Sequence, residues 1–227
     1  MKASRGQFIS FEGVDGVGKT TQIAFLADFL RLGGGEVVLV REPGGTELGE
    51  EIRRILKFAD YGNAISQETE ALLFASARAQ LVREVIIPAL ERGATVISDR
   101  FTDSSVAYQG AGRGLGAEAV SAINRFATGG IEPDWTILLD LAPEAGFARA
   151  RSREPENNGG KTDRMESLEA DFYERVRACY KELAVAFPGR ISVVDADAPA
   201  GEIAAKIREK FLQRFPFAGK KSEGGAR

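Results

Sequence analysis

The sequence contains no histidine among its 227 residues. That removes the commonest general base, the Ser-His nucleophile arrangement and any His-ligated zinc. A single cysteine, Cys179, excludes an internal disulfide. It falls within a helical pattern and reads as a small core residue, not a nucleophile. No apolar run is long enough to span a bilayer. Residues 1–6 hold two basic residues with no apolar stretch behind them, unlike a signal peptide. Neither sign of charge dominates: the formal net charge is −3, which argues against a protein built to coat nucleic acid or an anionic membrane. The expectation is a cytoplasmic protein with no nucleic-acid partner and no membrane contact. Its chemistry has to use Lys, Arg, Asp, Glu and a hard cation. Phosphoryl transfer meets that restriction, because it depends on positioning and charge neutralisation.

What the chain does have is a phosphate loop, Gly13-Val14-Asp15-Gly16-Val17-Gly18-Lys19-Thr20. An apolar run over residues 8–11 precedes it and an amphipathic stretch over 21–32 follows, which is the strand–loop–helix setting the motif requires. The glycines let successive backbone N–H groups turn around a polyphosphate. The helix start near Lys19 aims its positive dipole end at the same anion. The Lys19 ammonium suits the outer phosphates, and the Thr20 hydroxyl suits Mg²⁺.

Further apolar runs lie at 37–40, 94–97, 136–139 and 191–194. None alternates strictly with polar residues, which predicts strands buried on both faces of a parallel sheet. Helical patterns between them give an α/β fold. Pro143-Glu144 and Pro199 with Glu202 place proline and acid in first helical turns. Residues 68–92 form one long helical pattern, which Pro88 bends or ends. Glycines at 110, 112, 114 and 116 mark a flexible loop. The domain expected is a single unit over residues 1–215, with a lid over about 150–165 and a fraying tail over 216–227.

Ligands in open α/β sheets collect beyond the carboxyl ends of the strands. There the sequence places Glu12, Arg41, Asp99 and Asp140. Asp99, ending a buried strand, suits Mg²⁺ binding, and Arg100 beside it suits an anion clamp. Phe74 and Arg78 share one helix face. By itself Arg78 reads as an arginine that reaches water or pairs with Glu70 or Glu84. Arg149, Arg151 and Arg153 flank a Gly-Asn-rich stretch that Asp163-Arg164 closes, a pattern for a flap over a polyphosphate.

The phosphate loop, Arg41-Glu42-Pro43-Gly44-Gly45-Thr46, Phe74-x-x-x-Arg78-x-Gln80, Asp99-Arg100-Phe101 and Ala107-Tyr108-Gln109-Gly110 together resemble the thymidylate kinases over residues 8–195. The loop alone is shared with many unrelated ATPases; the combination is specific. The resemblance implies a P-loop NTPase fold, a five-stranded parallel sheet flanked by helices with a lid. It implies transfer of the γ-phosphate of ATP to dTMP with Mg²⁺, giving dTDP and ADP, by a homodimer. Phe74 matches the residue that stacks on thymine. Arg78, with Ser105 and Gln109, matches the groups at the base edge. Arg100 matches the clamp on the dTMP phosphate. Tyr108 matches a tyrosine that crowds the 2′ position, and Asp15 a carboxylate near the 3′-hydroxyl. Glu42, Pro43 and Asp163 complete the implied substrate set, and Thr21 and Arg149 the ATP set. The phosphate loop here carries no arginine, so the catalytic cation is expected in the lid, as in the bacterial type: Arg153, with Arg149, Arg151 and Arg164 as alternatives. Residues 155–160 look inserted relative to the family.

Overall fold

The computed structural model describes residues 5–58, 65–151 and 170–215. Five parallel strands form one sheet: β1 (Phe8–Glu12), β2 (Val37–Arg41), β3 (Thr95–Asp99), β4 (Trp135–Asp140) and β5 (Ile191–Asp195). Their spatial order is β2-β3-β1-β4-β5, and every pairing is parallel. At the centre the apolar runs are buried as expected. Every residue of β1 is buried, including Ser10, whose hydroxyl is satisfied by Thr136 Oγ1 at 2.9 Å. The two outer strands correct the expectation of burial on both faces. Leu39 in β2 and Val193 in β5 are 43% and 44% exposed. Short apolar runs read alike in sequence, and only their place in the sheet separates centre from edge.

The phosphate loop feeds α1 (Lys19–Leu32), which packs against α9 (Ala200–Arg214). Phe29 and Phe211 meet edge to face there, with centroids 6.3 Å apart. The helices α2 (Glu47–Phe58), α3 (Gln67–Leu81) and α6 (Ala117–Thr128) form a second group, with α3 touching the other two. Ser66 caps α3 by accepting the Thr69 N–H at 3.2 Å, a contact typically worth about 1 kcal/mol.

The long pattern over 68–92 is helical throughout, with one local change. A π turn, Val82–Ile86, joins α3 to α4 (Ile87–Glu91). It carries the Ile87 N–H back to Val82 O. Widening the helix at this point accommodates Pro88, which has no N–H to offer and would crowd a regular turn. Pro88 therefore does not end the helix.

A second π turn, Val106–Gly112, follows the short α5 (Thr102–Ser105). It corrects the flexible-loop expectation for the first glycines: Gly110 and Gly112 are buried within it. A Cβ on Gly112 would meet Phe172 Cε2 at 2.5 Å, so glycine serves close packing against α8 (Ala170–Ala186). Gly114 and Gly116 do lie in a connection, at φ 78° and 87°. The prolines mark helix starts as expected: α7 spans Pro143–Arg151, and Pro199 precedes α9. Cys179 is buried, and burial pushes its thiol up to about 11, which leaves it unreactive.

Candidate active site

β1 delivers the chain into a loop that only glycine can make. Gly13, Gly16 and Gly18 take φ values of 131°, 77° and 94°. A Cβ on Gly16 would lie 2.0 Å from Gly146 O, and one on Gly13 2.4 Å from Leu139 O. The loop is therefore pressed against α7 and β4. Val14 and Val17 anchor it by entering the core. Gly18 precedes α1 with no side-chain cap, and no acid occupies the first turn. The first N–H groups and the positive dipole end are thus available to an anion. Lys19 Nζ donates to Gly13 O at 3.1 Å and to Val14 O at 3.0 Å. Burial and the Arg100 cation lower the Lys19 pKa to about 8, against the pull of Asp15, Asp99 and Glu12.

Arg100 leaves β3 with φ 72°, the one non-glycine with positive φ among the described residues. Its Nη2 donates to Asp15 Oδ1 at 2.6 Å and to the Tyr108 hydroxyl at 3.2 Å. Its guanidinium lies 4.9 Å from the Tyr108 ring centroid. Burial works to raise the Asp15 carboxyl, but Arg100 and Lys19 together hold it down to about 2.

A cavity of about 270 Å³ opens here, beyond the carboxyl ends of β1 and β3. Asp15, Gly16, Gly18, Lys19 and Thr20 line one part of it, and Asp99 and Arg100 another. Glu42 and Pro43 come in from the connection after β2, Phe74 and Arg78 from α3, and Ser105, Tyr108 and Gln109 from α5 and the second π turn. Phe74 is half-buried and backed by Ile52, Leu56 and Ala77. Residues scattered over nearly a hundred positions thus share one space.

Arg78 corrects the reading of it as an isolated helix arginine. It does not reach water: its side chain is 1% exposed. It pairs with Glu42, through Nε to Oε2 at 2.8 Å, not with Glu70 or Glu84. Nη1 donates to Asn124 Oδ1 and Nη2 to Ser105 Oγ and Phe101 O. Burial pushes the Glu42 carboxyl up, and Arg78 opposes that shift. Glu42 Oε1 has no partner among the described residues. Glu70 instead accepts from Gln109 Nε2 at 3.1 Å and Arg113 Nη2 at 3.0 Å, which tethers the Gln109 amide beside the cavity.

Thr21 and Arg149 do not line the cavity. Arg149 reaches the segment between β5 and α9, donating to Ala196 O at 2.8 Å and pairing with Asp197 at 3.1 Å. Arg153, Asp163, Arg164 and nearly all of the lid expected over 150–165 lie outside the described residues, as does the tail over 216–227. Among the described residues no group of three His, Cys, Asp or Glu side chains could hold a metal.

A buried arginine–glutamate pair at one end of a cavity and a phosphate loop at the other specify a family more narrowly than the loop does. Residues 11–207 match the family model described as Thymidylate kinase. The chain belongs to the thymidylate kinase family. It is 48% identical over 220 residues to the thymidylate kinase of Desulforudis audaxviator (strain MP104C), covering 94% of this chain and 96% of that relative. It is 45% identical over 215 residues to that of Citrifermentans bemidjiense, covering 95% of each. Against that of Thermoanaerobacter sp. (strain X514) it is 50% identical over 191 residues, covering 84% of this chain and 90% of the relative.

Arg53 and Lys57 also line the cavity of this thymidylate kinase site and were not anticipated from sequence, and three more residues, Glu12, Ser104 and Tyr180, had no role assigned there. Glu12 is fully buried, and it accepts from the Phe101 N–H at 2.7 Å and from the Ser104 and Tyr180 hydroxyls at 2.5 Å and 3.0 Å. Burial, and then Asp103, raise its pKa to about 7. A polar residue ending an apolar strand is visible in sequence, but its partners lie 89 to 168 positions away. Ser104 and Tyr180 carried no signal of their own.

Proposed function

We propose that the chain is a dTMP kinase that transfers the γ-phosphate of ATP to dTMP, giving dTDP and ADP, with Mg²⁺ as cofactor. The observation that carries this reading is the continuity of one cavity from Lys19 and Thr20 to Phe74, Arg78 and Gln109. The family membership narrows the acceptor.

The loop N–H groups and Lys19 hold the triphosphate, with Thr21 and Arg149 on the ATP side. Thr20 and Asp99 both border the cavity. A pair of oxygen donors without a larger acidic cluster fits Mg²⁺, which these two residues would help to hold. When held there, Mg²⁺ would supply positive charge to the phosphoryl transfer. Phe74 packs on thymine, while Arg78, Ser105 and Gln109 read its edge and Glu42 and Pro43 close the slot. Arg100 grips the dTMP phosphate, Asp15 meets the 3′-hydroxyl and Tyr108 crowds the 2′ position. Arg153 neutralises the transferring group, and Asp163 adds a substrate contact.

The acceptor is a phosphate oxygen whose second pKa lies near 6. It is mostly ionised at neutral pH, so a chain without histidine needs no general base for this transfer. What the reaction needs is cation density between two anions, which Lys19, Arg100 and Arg153 supply. The working unit is a homodimer.

A coupled ADP-release assay over a panel of monophosphates tests the reading. dTMP should lead and dUMP should be weaker for want of the methyl contact. Another monophosphate in the lead, or ADP release with no acceptor present, overturns it.

A further inference from the structure

Arg100 is held in an unusual way. Its backbone is in the left-handed region at φ 72°, which a residue with a Cβ adopts only when its surroundings insist. The chain around it is pinned at several points. The Arg100 N–H donates to Phe11 O at 3.0 Å, and Arg100 O accepts from the Ser98 hydroxyl. Beyond Arg100, Arg78 and Asn124 hold the Phe101 and Thr102 carbonyls, and two further pins come from one side chain. Glu12 Oε1 takes the Phe101 N–H, and Oε2 takes the Ser104 hydroxyl. One carboxylate therefore grips both ends of the short turn from Phe101 to Ser104 that directly follows Arg100.

The same carboxylate governs the arginine's other end through proton direction. Glu12 Oε2 is within hydrogen-bond distance of the Ser104 and Tyr180 hydroxyls, and those two lie 2.8 Å from each other. Each hydroxyl has one proton. Both protons are drawn toward the carboxylate, so the lone pairs of both oxygens are left for a donor on the other side. That donor is Arg100 Nη1, at 3.1 Å from Ser104 Oγ and 3.4 Å from the Tyr180 hydroxyl, with a third bond to Gly13 O at 3.0 Å.

We infer that Glu12 is a positioning residue for Arg100: its carboxylate holds the turn and orients the Ser104 and Tyr180 hydroxyls as acceptors for the guanidinium. The inference rests on the reading of Arg100 as the clamp on the dTMP phosphate. An amide at position 12 keeps the size and the Phe101 contact but presents N–H groups to the two hydroxyls. Their protons then turn toward Arg100, donor against donor, and the guanidinium loses its seat.

The test is steady-state kinetics on the full chain with separate titrations of dTMP and ATP at about pH 8, where the carboxylate form of Glu12 predominates. Glu12→Gln should raise the dTMP KM about tenfold while the ATP KM stays within about twofold of wild type. Tyr180→Phe keeps the carboxylate and removes one acceptor, so it should raise the dTMP KM about threefold and leave ATP unaffected. In a Ser104→Ala/Tyr180→Phe background, adding Glu12→Gln should change the dTMP KM by less than about twofold, since no hydroxyl remains to reverse. Equal rises in both KM values, or none, overturn the inference. Should Glu12→Gln not fold, Tyr180→Phe decides alone, and an unchanged dTMP KM overturns it. Wild-type enzyme that fails to turn over dTMP overturns the dTMP kinase reading instead, which keeps the two failures apart.

Discussion

The pair Arg78–Glu42 lends itself to a quantitative test because it is almost fully enclosed. The two side chains are 1% and 3% exposed. Arg78 makes its contacts to Glu42, Asn124, Ser105 and the Phe101 carbonyl, and Glu42 Oε1 already lacks a partner among the described residues. Arg78→Met removes the one cation that hydrogen-bonds the Glu42 carboxylate among the described residues and strands a buried charge. Breaking a buried pair from one side costs about 3–5 kcal/mol. For a chain of this size each kcal/mol corresponds to about 2–4 °C in Tm, so a loss of about 10 °C is expected. Glu42→Gln should cost less, since Arg78 keeps Asn124, Ser105 and the Phe101 carbonyl. The double variant removes both charges and should be more stable than the sum of the single losses, by about 1–3 kcal/mol. Denaturant titrations of the four proteins without nucleotide measure this separately from catalysis. A loss under about 1 kcal/mol for Arg78→Met, or strict additivity in the double variant, would refute the assignment of an interdependent buried pair.

Lys19→Met removes the ammonium that the loop carbonyls now hold, and ATP binding measured by calorimetry should weaken at least about tenfold while dTMP binding is retained. Gly16→Ala places a Cβ 2.0 Å from Gly146 O at a φ of 77°, so it should destabilise the chain by about 1–3 kcal/mol and abolish nucleotide protection in a thermal shift assay. Glu12 gives a pH dependence. Its folded pKa of about 7 lies above the ordinary 4.5, so between those values the folded chain keeps a proton that the unfolded chain has lost, and stability falls as pH rises. Between pH 4.5 and about pH 8 the wild type should lose about 3 kcal/mol more than Glu12→Gln, read from urea unfolding at each pH; equal slopes would contradict the burial of Glu12.

The parts of this site that lie close together in sequence were legible there. The phosphate loop announced itself because strand, glycines, lysine and helix are contiguous, and the parallel order of the sheet follows from apolar runs separated by helices. Legibility failed where one residue changes the geometry or where partners are distant. The first π turn accommodates one extra residue, a change too small to disturb the 3.6-residue pattern by which helices are recognised, while the second lay under glycines that read as a loop. Arg78 and Glu42 are 36 positions apart, so the helix supplied only Glu70 and Glu84 as candidates. Glu12 looked like any polar residue at a strand end until α8 brought Tyr180 over it. The edge exposure of Leu39 and Val193 depends on strand order, which no single strand encodes.

One experiment tests directly whether donor and acceptor meet in the cavity between Lys19 and Phe74. Phosphorus NMR of a mixture of ATP, dTMP and Mg²⁺ with the enzyme follows every phosphorus at once. dTDP and ADP should grow together in equal amounts, and neither should form when dTMP is left out. Inorganic phosphate rising in place of dTDP, or ADP formed at the same rate without dTMP, would contradict it.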